Sequence, residues 1–172
     1  AMVTNNDDLA RVARMIANHG QEGKHNHVME GRNSRLDGMQ GAILDVKLKY
    51  LEQWTEARIA NAKLYDQALD GLPIETPKVR ENVRHVFHLY VIQTDRRDEL
   101  AEHLKSDGID TAVHYPYPLP HVPCYGRLGH SAGDFPMTER ACDRILSIPM
   151  YPELTDSQIG QVADSMKSFF GG

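Results

Sequence analysis

Twelve consecutive residues, His114-Tyr115-Pro116-Tyr117-Pro118-Leu119-Pro120-His121-Val122-Pro123-Cys124-Tyr125, carry four prolines, three aromatic rings and two histidines. Proline fixes φ near −65° and pushes the residue before it toward extended geometry. The segment is therefore expected to be neither helix nor central strand, but a rigid extended loop. Imidazole and phenol groups displayed on such a loop suit recognition or catalysis. A stiff loop held by aromatic packing is the plainer alternative, and the segment by itself does not choose between them.

The rest of the chain limits the choice. Its 172 residues suffice for one sizeable core, or one domain and part of another. Hydrophobic residues at 41% and charged residues at 25% fit a globular protein rather than a disordered one. The formal charge is −5 and no run of five basic residues occurs, which argues against nucleic acid as a partner. Apolar runs are too short for a membrane span, and no signal-peptide pattern opens the chain. Cys124 and Cys142 are too few for a disulfide scaffold. These features lead to the expectation of a reduced, cytoplasmic protein. Ala1-Met2-Val3-Thr4 reads as the tail of a strand with nothing nearby to pair with, which implies a distant partner strand or sequence before Ala1.

Hydrophobic spacing predicts the elements. Leu9, Val12, Ala13, Ile16 and Ala17 mark a helix over residues 7–18, and residues 21–33 read as a polar loop. Ser34-x-x-Asp37 signals the start of a helix running from 37 to 70, with Met39, Ile43, Val46, Tyr50, Trp54, Ala57, Leu64 and Ala68 near one stripe and Gly71-Leu72-Pro73 as its stop. Such a helix spans on the order of 50 Å and would bridge two structural units. Residues 83–94 read as a buried strand, with Asp95 capping a helix that Gly108 closes. Residues 110–115 form a second predicted strand and 140–146 a helix, followed by a short extended piece at Ser147-Ile148-Pro149. Thr155 to Gln158 forms a capping box before a last amphipathic helix. The fold class expected is α/β, with residues 73–172 forming a small α+β domain in which helices cover one side of a small sheet.

Three groups of segments stand together in order and spacing. The first is Asn18-His19-Gly20 with Gly31-Arg32-Asn33-Ser34-Arg35-Leu36-Asp37-Gly38-Met39-Gln40-Gly41-Ala42. The second is Val86-Phe87-His88-Leu89-Tyr90-Val91. The third is Ala112-Val113-His114-Tyr115-Pro116-Tyr117-Pro118-Leu119, then Asp134-Phe135-Pro136 and Leu146-Ser147-Ile148-Pro149-Met150-Tyr151-Pro152. Together they resemble the DegT/DnrJ family of pyridoxal-phosphate-dependent sugar aminotransferases. The resemblance implies the C-terminal portion of a fold type I, aspartate-aminotransferase-like enzyme. Residues 1–50 would be a remnant of the large cofactor-binding domain, and residues 51–172 the small domain with the long linking helix. The implied reaction moves an amino group from glutamate to a keto carbon of a nucleotide-linked sugar, leaning slightly toward the 3-position, with pyridoxal 5'-phosphate as cofactor.

The resemblance also implies roles. In the family a lysine forms a Schiff base with the cofactor, and none of Lys24, Lys47, Lys49, Lys63, Lys78, Lys105 or Lys167 matches it. No catalytic residue is therefore expected here, and the chain alone is expected to be inactive. The family's active site is shared across a homodimer. Asn33 matches a residue whose amide donates to the cofactor phosphate from across the dimer, and Arg35 one near the phosphate and substrate. His114 and Tyr115 match the head of the substrate-facing loop, suited to sugar, diphosphate or carboxylate oxygens. Pro120-His121-Val122 departs from the family pattern, and His121 is given no role.

Other readings compete with this one. His25-x-His27 and His85-x-x-His88 are the closest candidate metal pairs, but the second would point to opposite faces of a strand, and no metal site is expected. Cys124 near His121 invites a thiol nucleophile, yet lacks an orienting partner. The alternative of a different class is a non-catalytic module that dimerises through the apolar face of residues 37–70.

Overall fold

The structure is a computed structural model describing residues 2–171. The chain divides after Tyr50 into two compact units.

In the first unit, α1 (Asp7–Ala17) begins where the Asn6 side chain accepts from the Leu9 N–H at 2.9 Å, and Asp7 and Asp8 sit favourably in its first turn. The residues before Thr4 form no strand among the described residues. α2 (Gly38–Leu48) is opened by Asp37 in a reciprocal capping box with Gln40, so Asp37 rather than Ser34 is the capping side chain. No residue of α2 is buried.

The single helix expected over 37–70 is two helices. After Leu48 the Tyr50 N–H reaches back only three residues, to the Lys47 carbonyl at 3.1 Å, and the four-residue ladder stops. Neither glycine nor proline marks this place, so residue spacing carried no sign of it.

The second unit begins with α3 (Leu51–Ala68). β1 (Tyr90–Gln93) pairs antiparallel with β2 (Ile145–Ile148), Tyr90 opposite Ile148 and Gln93 opposite Ile145. Isolated bridges Glu75–Gln93 and Ala112–Ser147 add one contact on either side. Around this ribbon pack α3, α4 (Arg97–Ser106), α5 (Pro136–Arg144) and α6 (Asp156–Gly171). Tyr65 from α3 and Leu69 from the turn just after it, Leu100 and Leu104 from α4, Val162 and Met166 from α6, and Tyr90, Ile92, Leu146 and Ile148 from the sheet form one core. Burying each such Leu or Ile side chain is worth about 1.5–3 kcal/mol, which is why a two-stranded ribbon persists here although it would be marginal alone.

Several expected elements differ. Only the last third of 83–94 is strand: Phe87 sits at φ 46°, and its N–H donates to His85 Nδ1 at 3.0 Å instead of to a ladder. Val83 and Val86 stand about half exposed, at 54% and 49%. Asp95 does not cap α4. It accepts from Arg144 Nε at 2.6 Å, while Arg96 occupies the cap position with no side-chain bond. Residues 110–115 contribute one bridge rather than a strand, because among the described residues their ladder bonds are those between Ala112 and Ser147. The helix placed at 140–146 is α5, beginning four residues earlier at Pro136 and giving way to β2 at Ile145. The proline-rich loop contains two 3₁₀ turns, Leu119–His121 and Pro123–Leu128, since proline is tolerated in a first helical turn. Thr155 and Gln158 do form the capping box of α6.

Candidate functional site

Asn33 and Arg35 come together in the first unit. After α1, the chain turns through His19 (φ 59°) and Gly20 (φ 72°), and the returning segment is stitched to the helix end. Arg32 N–H donates to Ile16 C=O at 2.8 Å and Ser34 N–H to Ala17 C=O at 2.9 Å, pairing carbonyls that a helix terminus leaves open. The approach requires glycine: a Cβ on Gly31 would lie 2.1 Å from the Gly20 nitrogen. Asn33 bridges Asn18 in this return, and Asp37 caps α2 four residues later. Both ends of the short segment are thereby held.

Arg35 Nε donates to Asn33 Oδ1 at 3.1 Å. That bond occupies the amide oxygen and leaves the Asn33 NH2, with its two donors, exposed. The remaining guanidinium N–H groups of Arg35 have no partner among the described residues. The pair lines an open depression with Leu36, Asp37 and Gln40. Its donor set is suited to an anionic oxygen such as a phosphate, with the carboxylate of Asp37 engaged by its own helix.

His114 and Tyr115 come together in the second unit. Ala112 and Ser147 exchange both backbone bonds, at 3.1 and 2.7 Å, which brings the start of the loop against β2. His114 follows two residues later, its Nδ1 2.9 Å from Ser147 Oγ. The next peptide, His114–Tyr115, is cis. The Tyr115 ring lies edge-on to the imidazole at 5.6 Å, and Tyr115 is 71% exposed. Further along, Glu139 of α5 accepts from the Gly133 N–H at 2.9 Å and the Phe135 N–H at 3.2 Å, and lies 3.5 Å from His121 Nε2. Neither Ser147 nor Glu139 was singled out by residue spacing. The signal for Ser147 was present: a lone hydroxyl in the otherwise apolar run Ile145-Leu146-Ser147-Ile148.

His85 lies outside any strand, so its separation from His88 does not follow the alternation of a sheet. No group of three His, Cys, Asp or Glu side chains among the described residues is placed to hold a metal ion. No helix among them is long and apolar enough to cross a membrane.

Residues 1–167 match the model of the DegT/DnrJ/EryC1/StrS aminotransferase family. The chain is 42% identical over 172 residues to the pleiotropic regulatory protein of Geobacillus stearothermophilus, with 98% of this chain and 46% of that protein covered. It is 39% identical to a dTDP-3-amino-3,4,6-trideoxy-alpha-D-glucose transaminase of Streptomyces venezuelae, covering 98% and 45% respectively. The crystal structure of S. venezuelae DesV superposes with a TM-score of 0.89 at 38% identity, over 99% of this chain and 46% of that one. The chain thus spans about half the length of the relatives it matches.

Proposed function

The chain belongs to the DegT/DnrJ/EryC1/StrS aminotransferase family, and from that premise we propose that it forms the C-terminal portion of a pyridoxal-phosphate-dependent aminotransferase. The reaction passes the amino group of glutamate to a keto carbon of a nucleotide-linked sugar, with the 3-position favoured. The observation that carries this reading is the family match over residues 1–167. A relative named for a 3-amino dTDP-sugar supports the choice of position.

When bound, pyridoxal 5'-phosphate supplies the electron sink for the transfer. The residues of this chain bind and orient. Asn33 directs its two amide donors to the cofactor phosphate held by the partner subunit of a homodimer. Arg35 fixes the amide through its oxygen and offers the rest of its guanidinium to phosphate or carboxylate. His114 and Tyr115 hydrogen-bond the sugar, its diphosphate or the carboxylate of the amino donor. In this reading the residues up to Tyr50 belong to the cofactor-binding domain and those from Leu51 to the small domain, in a cytoplasmic enzyme. None of the chain's seven lysines is assigned the Schiff-base role.

The test joins this chain to the family's N-terminal half and measures amino transfer from glutamate to a dTDP- or UDP-linked 3-keto sugar. The chain alone, incubated with coenzyme and then freed of the excess, should retain no aldimine absorbance and be inactive. In the joined enzyme Asn33→Ala should weaken coenzyme retention, and His114→Ala should raise the sugar KM. Absence of amination by a coenzyme-loaded joined enzyme would reject the reading.

A further inference from the structure

Ser147 lies in β2 with only 5% of its surface exposed, and its backbone N–H and C=O are both bonded to Ala112. Its hydroxyl meets one side-chain partner, His114 Nδ1, at 2.9 Å. A neutral imidazole can carry its hydrogen on either nitrogen, and the hydrogen bond made by one nitrogen decides which. If Nδ1 carried it, Nδ1 would donate to Ser147 Oγ, and the serine hydrogen would point into a buried region without an acceptor. Buried polar hydrogens are rarely left so. The arrangement that satisfies both groups has Ser147 donating to Nδ1, which places the imidazole hydrogen on Nε2. That nitrogen has no hydrogen-bond partner among the described residues and is not among the sealed, unpaired polar atoms, so it stays open to a ligand.

We infer that Ser147 is a positioning residue: its hydroxyl holds His114 as the Nε2–H tautomer and fixes the ring, so that the loop presents a donor to an oxygen acceptor. The inference deepens the proposed function and rests on it only for the identity of that acceptor, an oxygen of the nucleotide-linked sugar or of the amino donor's carboxylate. The serine takes no part in the chemistry. The bridge to Ala112 uses only backbone atoms, so removing the hydroxyl leaves it in place.

The test is long-range proton–nitrogen NMR of the 15N-histidine-labelled chain at a pH where the ring is neutral. His114 should show a pyridine-type Nδ1 and a pyrrole-type Nε2. Ser147→Ala should lose that signature and move both nitrogens toward averaged values, while Ser147→Thr, which restores a hydroxyl, should recover it. A pyrrole-type Nδ1 in the unaltered chain would overturn the inference without recourse to any variant. So would a Ser147→Ala spectrum unchanged from the parent. In the joined enzyme Ser147→Ala should raise the sugar KM several-fold with kcat little changed. If the ring signature follows Ser147 but KM does not, the positioning stands and the substrate-facing role of His114 fails instead.

Discussion

The phenol of Tyr65 donates to the carbonyl of Pro149 at 2.9 Å, tying α3 to the residue that follows β2 across 84 positions of sequence. Beside it, with ring centroids 5.1 Å apart, Tyr90 donates to Asp66 Oδ1 at 2.5 Å. Both side chains are wholly buried. Burial is the leading cause that holds each phenol above its ordinary value of 10.0.

A folded-state pKa raised above the unfolded one stabilises the fold below the unfolded value and loses that contribution as pH climbs. The contribution of these two phenols should therefore be constant up to about pH 10 and decline above it. Tyr65→Phe should lower stability at neutral pH by about 1–2 kcal/mol, leaving the Pro149 carbonyl without this donor, and should shallow the alkaline decline. Urea midpoints measured across the alkaline range check this; an unchanged alkaline slope in Tyr65→Phe would count against it.

Gly31→Ala should destabilise the first unit by at least about 2 kcal/mol, because the new methyl would meet backbone rather than a flexible side chain. Gly38→Ala, where nothing lies within 4 Å, should be neutral or slightly stabilising at the start of α2. Residue-resolved amide hydrogen exchange across α1 and α2 within the whole chain separates the two outcomes.

Glu139 organises the loop before α5 through the amides of Gly133 and Phe135. Replacing it with alanine should remove about 1–2 kcal/mol of local stability, which corresponds to roughly 5–30-fold faster amide exchange there. Hydrogen exchange at Gly133 and Phe135 should rise while that of Ile92 and Leu146 in the core stays put. Equal acceleration everywhere would mean that Glu139 supports the whole unit rather than this loop.

Arg144 bonds Glu75 at 2.8 Å and Asp95 at 2.6 Å, and the guanidinium holds the Glu75 carboxyl below its ordinary value of 4.5. A depressed folded-state pKa stabilises the fold above the unfolded value, and the contribution disappears as pH falls through the folded one. Arg144→Met should therefore reduce the loss of stability below about pH 4.5. Acid titrations of the thermal midpoint for the parent and variant test this directly.

Cys124 is exposed, whereas Cys142 is buried in α5 with its thiol pushed up by that burial. One equivalent of a thiol reagent should react quickly with the native chain and the second only on unfolding. Mass mapping of the fast site to Cys142 would contradict the structure.

Local chemistry makes much of this chain legible in its sequence. The stripe Leu9-Val12-Ala13-Ile16 lies in α1, the Thr155 and Gln158 box opens α6, and the motifs around Asn33 and His114 point to a family that the comparison over residues 1–167 supports. Such features depend on residues a few positions apart, where side-chain size and hydrogen-bonding capacity act directly. The break after Leu48 is not legible, because no glycine or proline encodes it. Nor is the shortness of β1, since Val83, Val86 and Ile92 are equally apolar on paper while only Ile92 is buried.

Sequence alone thus determined where helices can begin, where the backbone must bend, and which side chains are able to donate to an anion. Tertiary structure alone decided which apolar residues enter the core, which stretch of 83–94 finds a strand partner, and that Ser147 meets His114 from 33 positions away. Those outcomes depend on what the folded chain brings opposite each residue, and neither burial nor a long-range hydrogen bond exists until the opposing surface arrives.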